Sequence, residues 1–407
     1  MNAVAAQQHT PHQGPVDPLA AAGDFYDIKG LLSADERAVL DRVTAFMDAK
    51  VKPIANEYWL RGEFPHQLID GFRELAIAGL SYTEHGCPGG SNLLAGLVGQ
   101  ELCRVDASIG TFYGVHNGLA LGSLMLCGSA EQQARFVPAM LSWDTIGAFG
   151  LTEPEVGSAV AQGLQTTATR DGDMWVLSGE KRWIGNGSFA DLVVIWARDT
   201  GDGEVKGFLV ETPVDGFSAE NITDKIALRA VENAVLHLEE VRVPEANRLQ
   251  RANSFADTAR VLKATRASVA WNSVGCAMGA YEHARAYTIE REQFGRPIAG
   301  FQLVQDLLSR MLANITASQC VAARLSQLQD AGGVSEQQAS MAKMYCSTRT
   351  RETVQWAREV MGGNGILLEH TVARFFVDAE ALYSYEGTRE VNSLIVGRAI
   401  TGFGAFV

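Results

Sequence analysis

The residue pattern changes twice along this 407-residue chain, and the two changes limit the folds that it can adopt. Capping-box spacings, at Ser33 and Glu36 and again at Ser254 and Asp257, each precede apolar residues at helical spacing, and Ser335 with Gln338 repeats the spacing within the second region. Between these regions, short runs suited to strands alternate with turn residues. The sequence therefore predicts helices, then an antiparallel β module of about 90 residues, then helices again. The predicted strands are 164–169, 174–177, 192–197, 207–211 and 234–243.

The same changes divide the chain into a tail and three domains. Residues 1–30 include Gln, His and Pro and are predicted to form a flexible tail. Residues 31–148 form the predicted N-terminal helical domain, residues 149–250 the middle β domain and residues 251–407 the C-terminal helical domain. In the last domain, apolar residues recur at three-and-four spacing, which predicts a long helix with one buried face.

Composition and charge exclude several classes of protein. The net charge of −13, from 34 basic and 47 acidic residues, argues against nucleic acid as a general partner. No apolar run reaches the roughly 18 residues that a membrane-spanning helix needs. The six cysteines include no C-x-x-C pair, so free thiols are expected rather than disulfides or a zinc site. The first 28 residues lack Lys and Arg and the C-terminus is not a peroxisomal signal, so a cytoplasmic location is predicted.

Several common catalytic motifs are missing from the sequence. It contains no H-E-x-x-H motif, no G-x-S-x-G motif and no phosphate-binding P-loop. The eight histidines do not cluster at metal-ligand spacing, so no metal is predicted. Gly362, Gly363 and Gly365 follow a helical pattern rather than a strand. Their position favours a helix C-cap and turn over a dinucleotide-binding fingerprint.

Three stretches together carry a more specific signal. Residues 149–158 read FGLTEPEVGS, residues 181–187 read KRWIGNG and residues 385–388 read YEGT. With these stretches, the span 31–406 resembles the acyl-CoA dehydrogenase and acyl-CoA oxidase superfamily. It looks most similar to glutaryl-CoA dehydrogenases and plant short-chain acyl-CoA oxidases. The resemblance implies the α+β acyl-CoA dehydrogenase fold, with an N-terminal helical domain, a middle antiparallel β domain and a C-terminal four-helix bundle.

The resemblance assigns the catalytic role to Glu386. In this family a carboxylate removes a proton from the α carbon of an acyl thioester while hydride leaves the β carbon for the flavin N5 atom. A carboxylate suits this task because desolvation raises its pKa toward the working pH. Glu386 matches the family's base, and Gly387 beside it leaves room for the thioester. The alternative is an ordinary acidic residue stabilised by a helix N-terminus.

The resemblance also implies a set of contacts to FAD and substrate. Thr152 is expected to hydrogen-bond the flavin ring, Trp183 to pack on it and Arg291 to bind the diphosphate. A core aromatic is the alternative for Trp183, a surface salt bridge for Arg291 and a solvated helix charge for Arg266. The implied FAD-binding residues are Phe149, Leu151, Thr152, Ser158, Trp183, Ile184, Gly185, Arg291, Phe294, Gln302, Glu359, Gly362, Gly363, Thr388 and Glu390, with the segment from Glu359 to Gly363 serving a neighbouring subunit. The implied substrate-binding residues are Ser158, Gly110, Thr111, Arg266 and Gly387. Among them, Arg266 matches a ligand of the CoA nucleotide.

The sequence departs from its relatives at four of these positions or their neighbours. Gly110 and Cys103 stand where glutaryl-CoA dehydrogenases have a pocket Arg and Glu. Without that cation a buried distal carboxylate would be uncompensated, which predicts a neutral acyl group. Gly185 replaces the usual Thr, and the missing side chain predicts a reduced flavin that is more open to oxygen. Ala159 stands where the family usually has Asp, which affects the local hydrogen bonding of that loop.

These residues predict FAD-dependent α,β-dehydrogenation of a short- or medium-chain acyl-CoA to the trans-2-enoyl-CoA. The family implies a homotetramer in which each FAD is held across a dimer interface. It also implies an electron-transfer flavoprotein as the electron acceptor. Two alternatives remain open: an acyl-CoA oxidase that passes electrons to oxygen, and a non-catalytic helical scaffold that kept the fold.

Overall fold

Helices form the first third of the computed structural model, which describes residues 14–405 of the chain. The capping box predicted at Ser33 is confirmed, because its side chain accepts from the Glu36 N–H and Glu36 bonds back to Ser33 N. Between the sixth and seventh helices, Gly114–Leu121 continues the helical path with wider, π-type turns. The helices are α1 Pro18–Ala21, α2 Ala34–Phe46, α3 Ala55–Arg61, α4 Ile69–Leu75, α5 Asn92–Val105, α6 Ala107–Tyr113, α7 Gly122–Cys127 and α8 Ala130–Leu141.

Part of the predicted flexible tail is packed against the rest of the chain. Residues 1–13 lie outside the described residues, but residues 18–30 include α1 and contact the C-terminal helices. The Tyr281 hydroxyl donates to the Ala20 carbonyl at 3.0 Å. Asp24 is buried and accepts from the Ile28 N–H at 2.8 Å. The contact with Tyr281 joins residues 261 positions apart in the sequence, so local composition did not reveal it.

A seven-stranded sheet forms the middle of the chain, in the order β1-β4-β2-β3-β7-β6 with β5 paired to β4. The prediction of a purely antiparallel module is wrong in one respect, because β1 and β2 both pair with β4 in parallel. Parallel pairs need crossover connections, which strand-and-turn spacing does not reveal. The elements are β1 Gly147–Gly150, α9 Val160–Gly163, β2 Thr167–Asp171, β3 Met174–Gly185, β4 Leu192–Asp199, β5 Val205–Glu211, β6 Phe217–Asn221 and β7 Asn233–Pro244.

A helical bundle follows, as the sequence predicted. Three long helices pack on one another, and two shorter helices pack on the third of them. The capping boxes at Ser254 and Ser335 are both confirmed. The elements are α10 Phe255–Glu290, a small hairpin of β8 Glu292–Gln293 and β9 Arg296–Pro297, α11 Gln302–Asp330, α12 Glu336–Val360, α13 Val372–Ser384 and α14 Arg389–Thr401.

The two helical regions share one hydrophobic core. At its centre α5 crosses α10 closely, since a Cβ atom at Gly96 would lie 2.1 Å from Trp271 Nε1. The buried Trp271 indole N–H donates to the Ser326 hydroxyl on α11 at 3.0 Å. This close packing fixes α10, which carries one wall of the site described below. Within residues 14–405, none of the helices has the length and apolarity needed to cross a bilayer.

Candidate active site

Glu386 lies in a tight loop between α13 and α14. Glu386 and Gly387 both have positive φ angles, +57° and +87°. A non-glycine residue in this conformation is strained and is retained only where its surroundings fix it. The first-turn acid of α14 is Glu390, and Thr388 is the N-cap. Glu386 therefore lies two residues before the cap of α14, outside the first turn of the helix.

The Glu386 carboxylate is half-buried and faces α10. The Thr265 hydroxyl donates to its Oε2 atom at 2.8 Å. Burial raises the pKa of Glu386, while the Thr265 hydrogen bond and the charges of Arg266 and Lys343 act in the opposite direction. A carboxyl group with a raised pKa in a protected loop is suited to accept a proton near neutral pH.

Two side chains hold the loop by its backbone carbonyls. The Lys343 ammonium, on α12, donates to the Tyr383 carbonyl at 2.7 Å and to the Gly387 carbonyl at 2.8 Å. The Asn392 side-chain amide donates to Gly387 O at 2.9 Å. Sequence analysis missed Lys343 and did not assign Thr265 a role. A lysine on a helix is normally solvated, and only tertiary packing buries this one.

Gly110 and Thr111 lie on α6, and Thr111 comes close to Tyr385, the residue before Glu386; their role in substrate binding stays a prediction. A Cβ atom at Gly110 would lie only 2.2 Å from Cys103 Sγ, so the thiol fills the space beside this glycine. Burial raises the pKa of Tyr385, and Cys103 and Thr111 are among the groups close enough to its hydroxyl to influence that pKa. Tyr385 therefore connects the loop of the predicted base to Gly110, Thr111 and Cys103.

Arg104 does not supply the cation that is missing at Gly110. Its guanidinium pairs with Glu101 at 2.6 Å, Asp48 at 2.9 Å and Glu282 at 3.0 Å. These three carboxylates use the donors of a mostly buried side chain. The structure therefore gives the Gly110 region no positive charge from the neighbouring Arg104.

A buried ion pair holds the segment that follows β1. Lys181, which is 0% exposed, donates to the Glu153 carboxylate at 2.8 Å and to the Leu151 carbonyl at 3.2 Å. Burial lowers the pKa of Lys181 to about 8 although Glu153 opposes the shift. The Arg182 N–H donates to Thr152 O at 2.8 Å. These bonds fasten residues 151–153 to β3, so two of the sequence motifs form one unit.

Trp183 lies at an irregularity of β3, with φ of +65° and a side chain that is 52% exposed. The alternative of a core aromatic is therefore wrong. A large indole held in strained backbone and left uncovered within a single chain indicates a surface that another group covers. Phe149 and Leu151, by contrast, pack into the core, so a cofactor contact at these two residues falls to their main chain.

The π-type segment Gly114–Leu121 joins the Trp183 side of the site to the Glu386 side. A Cβ atom at Gly185 would lie 2.9 Å from Val115 Cγ2, and a Cβ atom at Gly118 would lie 3.4 Å from Thr265 Cγ2. The space expected at Gly185 is therefore filled by Val115. The missing side chain at Gly185 therefore leaves no open space, and the greater reactivity of the reduced flavin with oxygen stays a prediction.

Most of the remaining predicted residues are exposed, whereas Arg266 and Ile184 are buried. Ser158 is exposed before α9, Thr388 caps α14 and Glu390 is exposed. Arg266 is only 7% exposed and pairs with Glu336 at 2.7 Å, so the alternative of a solvated helix charge is wrong. The turn after α10 and the end of α12 carry a further exposed set, namely Arg291, Phe294, Gln302, Glu359, Gly362 and Gly363.

The exposed end of α12 is far from the predicted base within one chain. Glu359 and Lys343 are sixteen residues apart on α12. At 1.5 Å per residue they are separated by about 24 Å along the helix axis. A single chain therefore does not bring Glu359, Gly362 and Gly363 to the Glu386 loop.

Comparison with known proteins gives a consistent family match. Models of the acyl-CoA dehydrogenase N-terminal, middle and C-terminal domains match residues 33–144, 148–241 and 255–401. A probable acyl-CoA dehydrogenase of Bacillus subtilis is 32% identical over 375 residues, covering 91% of this chain and 98% of that protein. A subunit of the caffeyl-CoA reductase–Etf complex of Acetobacterium woodii is 31% identical over 348 residues, covering 84% and 92%.

Solved structures match over nearly the whole chain. A glutaryl-CoA dehydrogenase from Mycobacterium smegmatis has a TM-score of 0.91 and 39% identity, covering 95% of this chain and 99% of that one. A structure of a glutaryl-CoA dehydrogenase from the same organism in complex with FADH2 has a TM-score of 0.91 and 34% identity, covering 95% and 100%. The predicted three-part fold is confirmed by these matches.

Proposed function

The chain belongs to the acyl-CoA dehydrogenase family of FAD-dependent oxidoreductases, and we propose that it converts a short- or medium-chain acyl-CoA to the trans-2-enoyl-CoA. The observation that carries this proposal is the half-buried Glu386 carboxylate, whose pKa is raised by burial. It lies in a loop fixed from three sides, by Thr265, Lys343 and Asn392. Such a group is suited to remove the weakly acidic α proton of a thioester.

The residues around the base fit an FAD. Trp183 offers an exposed indole at the end of β3, close to residues 151–153 through the Arg182–Thr152 hydrogen bond. When bound, FAD supplies the acceptor for the hydride that leaves the β carbon. In this proposal Trp183 and Thr152 orient the cofactor, and Glu386 Oε1 or Oε2 takes the α proton. The Thr265 hydroxyl holds the carboxylate in place until substrate arrives.

We propose a neutral acyl group as the substrate. Gly110 and Cys103 present no charge beside Tyr385, and the guanidinium of Arg104 is paired with three carboxylates. A distal carboxylate buried there would lack a counter-ion, which is costly. Butyryl-CoA or hexanoyl-CoA is therefore expected to be converted efficiently, with glutaryl-CoA turned over at least about 100-fold more slowly. Mass spectrometry of the products checks this, and efficient formation of crotonyl-CoA from glutaryl-CoA would contradict it.

Two chains are proposed to build each FAD site within a homotetramer. The exposed set at the end of α12 lies about 24 Å from Lys343 along the helix and is free to meet a cofactor held by a neighbouring subunit. A surface cavity of about 700 Å³ along α12 and α13 is lined in part by Glu359 and Tyr383. This cavity lies between the end of α12 and the Tyr383 end of α13, which supports a site that a neighbouring subunit completes.

An electron-transfer flavoprotein is the proposed electron acceptor. The Acetobacterium woodii relative is a subunit of a complex with such a flavoprotein. The competing oxidase hypothesis rested on open space at Gly185, and Val115 occupies that space.

Location in the cytoplasm remains a proposal from the sequence.

Replacing Glu386 with Gln tests the proposed function directly. Gln has nearly the same shape but does not accept the α proton, so FAD and acyl-CoA are expected to bind while flavin reduction slows by about 10²–10⁴-fold. Anaerobic stopped-flow bleaching of the flavin measures the rate. Glu369→Gln, an exposed acid in the turn before α13, serves as the matched control. A wild-type rate in Glu386→Gln would remove Glu386 from the role of base.

A further inference from the structure

Lys343 is a buried lysine whose hydrogen bonds go to backbone carbonyls. Its side chain is 0% exposed, and within residues 14–405 it makes no ion pair within 4.0 Å of a carboxylate. Lys181, which is equally buried, has Glu153 as its counter-ion. Burying an ammonium is costly unless its donors are used and opposite charge is near. The position of Lys343 therefore calls for an explanation in terms of the groups that it faces.

Those groups are the two carbonyls that flank the proposed base. Tyr383 belongs to the last turn of α13, where carbonyls lack an intrahelical partner, and Gly387 follows Glu386 directly. The ammonium bonds both, at 2.7 and 2.8 Å, and so spans the loop from one side of Glu386 to the other. Because Glu386 and Gly387 adopt left-handed conformations, the loop needs such external fixing to persist.

We propose that Lys343 is a positioning residue for Glu386, which holds the loop so that the carboxylate faces the substrate. The proposal rests on Glu386 being the base. Lys343 itself touches neither substrate nor cofactor in this proposal. It acts through the Tyr383 and Gly387 carbonyls and through its charge.

The charge of Lys343 also acts on the pKa of Glu386. Burial lowers the pKa of Lys343 to about 8, with Glu386 and Glu390 opposing the shift and Arg266 adding to it. The groups that face Glu386 are Thr265 and Arg266 from α10 and Lys343 from α12, and all three lower its pKa against the effect of burial. Arg266 is partly neutralised by Glu336. Loss of the Lys343 charge therefore moves the pKa of Glu386 further upward.

The test compares Lys343→Met with Lys225→Met in the full-length holoenzyme. Met keeps the length of the chain but removes the charge and the donors. Lys225 is a matched control, because its ammonium also bonds two loop carbonyls, of Leu228 and Val231, both at 2.6 Å, and its pKa is also lowered to about 8 by burial. Anaerobic flavin reduction by butyryl-CoA is followed across the pH range, together with FAD content and melting temperature.

Lys343→Met is expected to slow flavin reduction at neutral pH by about 10-fold or more, since small displacements of a catalytic group are costly. The acid limb of its rate profile is expected at higher pH than in the wild type, whereas Lys225→Met leaves that limb in place. An unmoved limb in Lys343→Met, or an equal movement in Lys225→Met, overturns the proposal and leaves Lys343 a structural role.

Lys343→Gln provides a second variant that retains a donor but no charge. Its rate of flavin reduction is expected between those of the wild type and Lys343→Met. The acid limb of its rate profile is also expected at higher pH than in the wild type. Loss of FAD binding in both Lys343 variants overturns the proposal, because a positioning role requires a folded holoenzyme whose defect lies in the base. Glu386→Gln is measured alongside: a wild-type rate of flavin reduction in it overturns the role of Glu386 and, with it, the role of Lys343. A slow Glu386→Gln together with an unmoved limb in Lys343→Met overturns the role of Lys343 alone.

Discussion

At the scale of single residues, the site depends on contacts between residues distant in sequence. Glu386 was identified from a four-residue motif, but Thr265 and Lys343, which bond it or its loop, come from helices α10 and α12. Gly110 and Cys103 were identified as departures from relatives, and only the packing shows that the thiol fills the space beside the glycine. A motif gives the chemistry of one residue, whereas its pKa depends on the partners that the fold brings to it.

Thr265→Val is predicted to move the acid limb of the flavin-reduction profile to higher pH. The Thr265 hydroxyl lowers the pKa of Glu386, so removing it adds to the upward effect of burial. A general base works as the carboxylate, so activity is present above its pKa and is lost as the pH falls through it. At pH 6 the rate is expected to fall by about 3- to 10-fold. Thr265→Ser retains the hydroxyl and should keep the wild-type profile; coincident limbs in all three proteins would contradict the prediction.

At the scale of secondary-structure elements, features set by adjacent residues were predicted well. The capping boxes at Ser33, Ser254 and Ser335 are all present, because each joins residues only three apart. β1 was missed since its four residues, GAFG, carry no strand pattern, and β6 was missed since it is an exposed edge strand. The parallel pairing of β1 and β2 with β4 depends on chain crossings, about which the spacing of strands says nothing.

Gly96→Ala is predicted to weaken the contact between α5 and α10. The added methyl would lie 2.1 Å from the buried Trp271 indole, so the helices must separate or the indole must lose its bond to Ser326. The free energy of unfolding is expected to fall by about 1–3 kcal/mol. Gly397→Ala on α14 meets nothing within 4 Å and is expected to stabilise the chain by about 0.5–1 kcal/mol. Denaturant unfolding compares the two, and equal effects would show that the crossing tolerates a side chain.

At the scale of the whole molecule, the sequence predicted three domains correctly in kind and the structure shows how two of them combine. The N-terminal and C-terminal helices share one core, so α10 is fixed on one face by α5 and presents Thr265 on another. The resemblance also implied a second chain at each FAD. Residues that single-chain geometry separates, Glu386 on one side and Gly363 on the other, are then parts of the same functional unit.

Complementation between two inactive variants tests this two-chain site. Gly363→Arg adds a bulky cation where a Cβ meets nothing within its own chain, so its fold is expected to be retained while FAD binding through the partner is lost. Glu386→Gln lacks the base. In a hybrid dimer, one site combines Glu386 from the Gly363→Arg chain with Gly363 from the Glu386→Gln chain, so it is intact. The other site carries both changes. Random pairing therefore predicts recovery of about one quarter of wild-type activity.

The hybrids are made by co-expressing the two variants with different tags and purifying over both tags. In a tetramer of two such dimers, this selection removes only the tetramers that contain a single variant, so the expected activity rises from about one quarter to about two sevenths of wild type. Pairing Gly362→Arg with Gly363→Arg is the control, since every site then meets an altered partner segment and none is restored. Hybrids of Glu386→Gln and Gly363→Arg that stay as inactive as that control would mean that each chain holds its FAD alone, with Glu359, Gly362 and Gly363 taking no part across the interface.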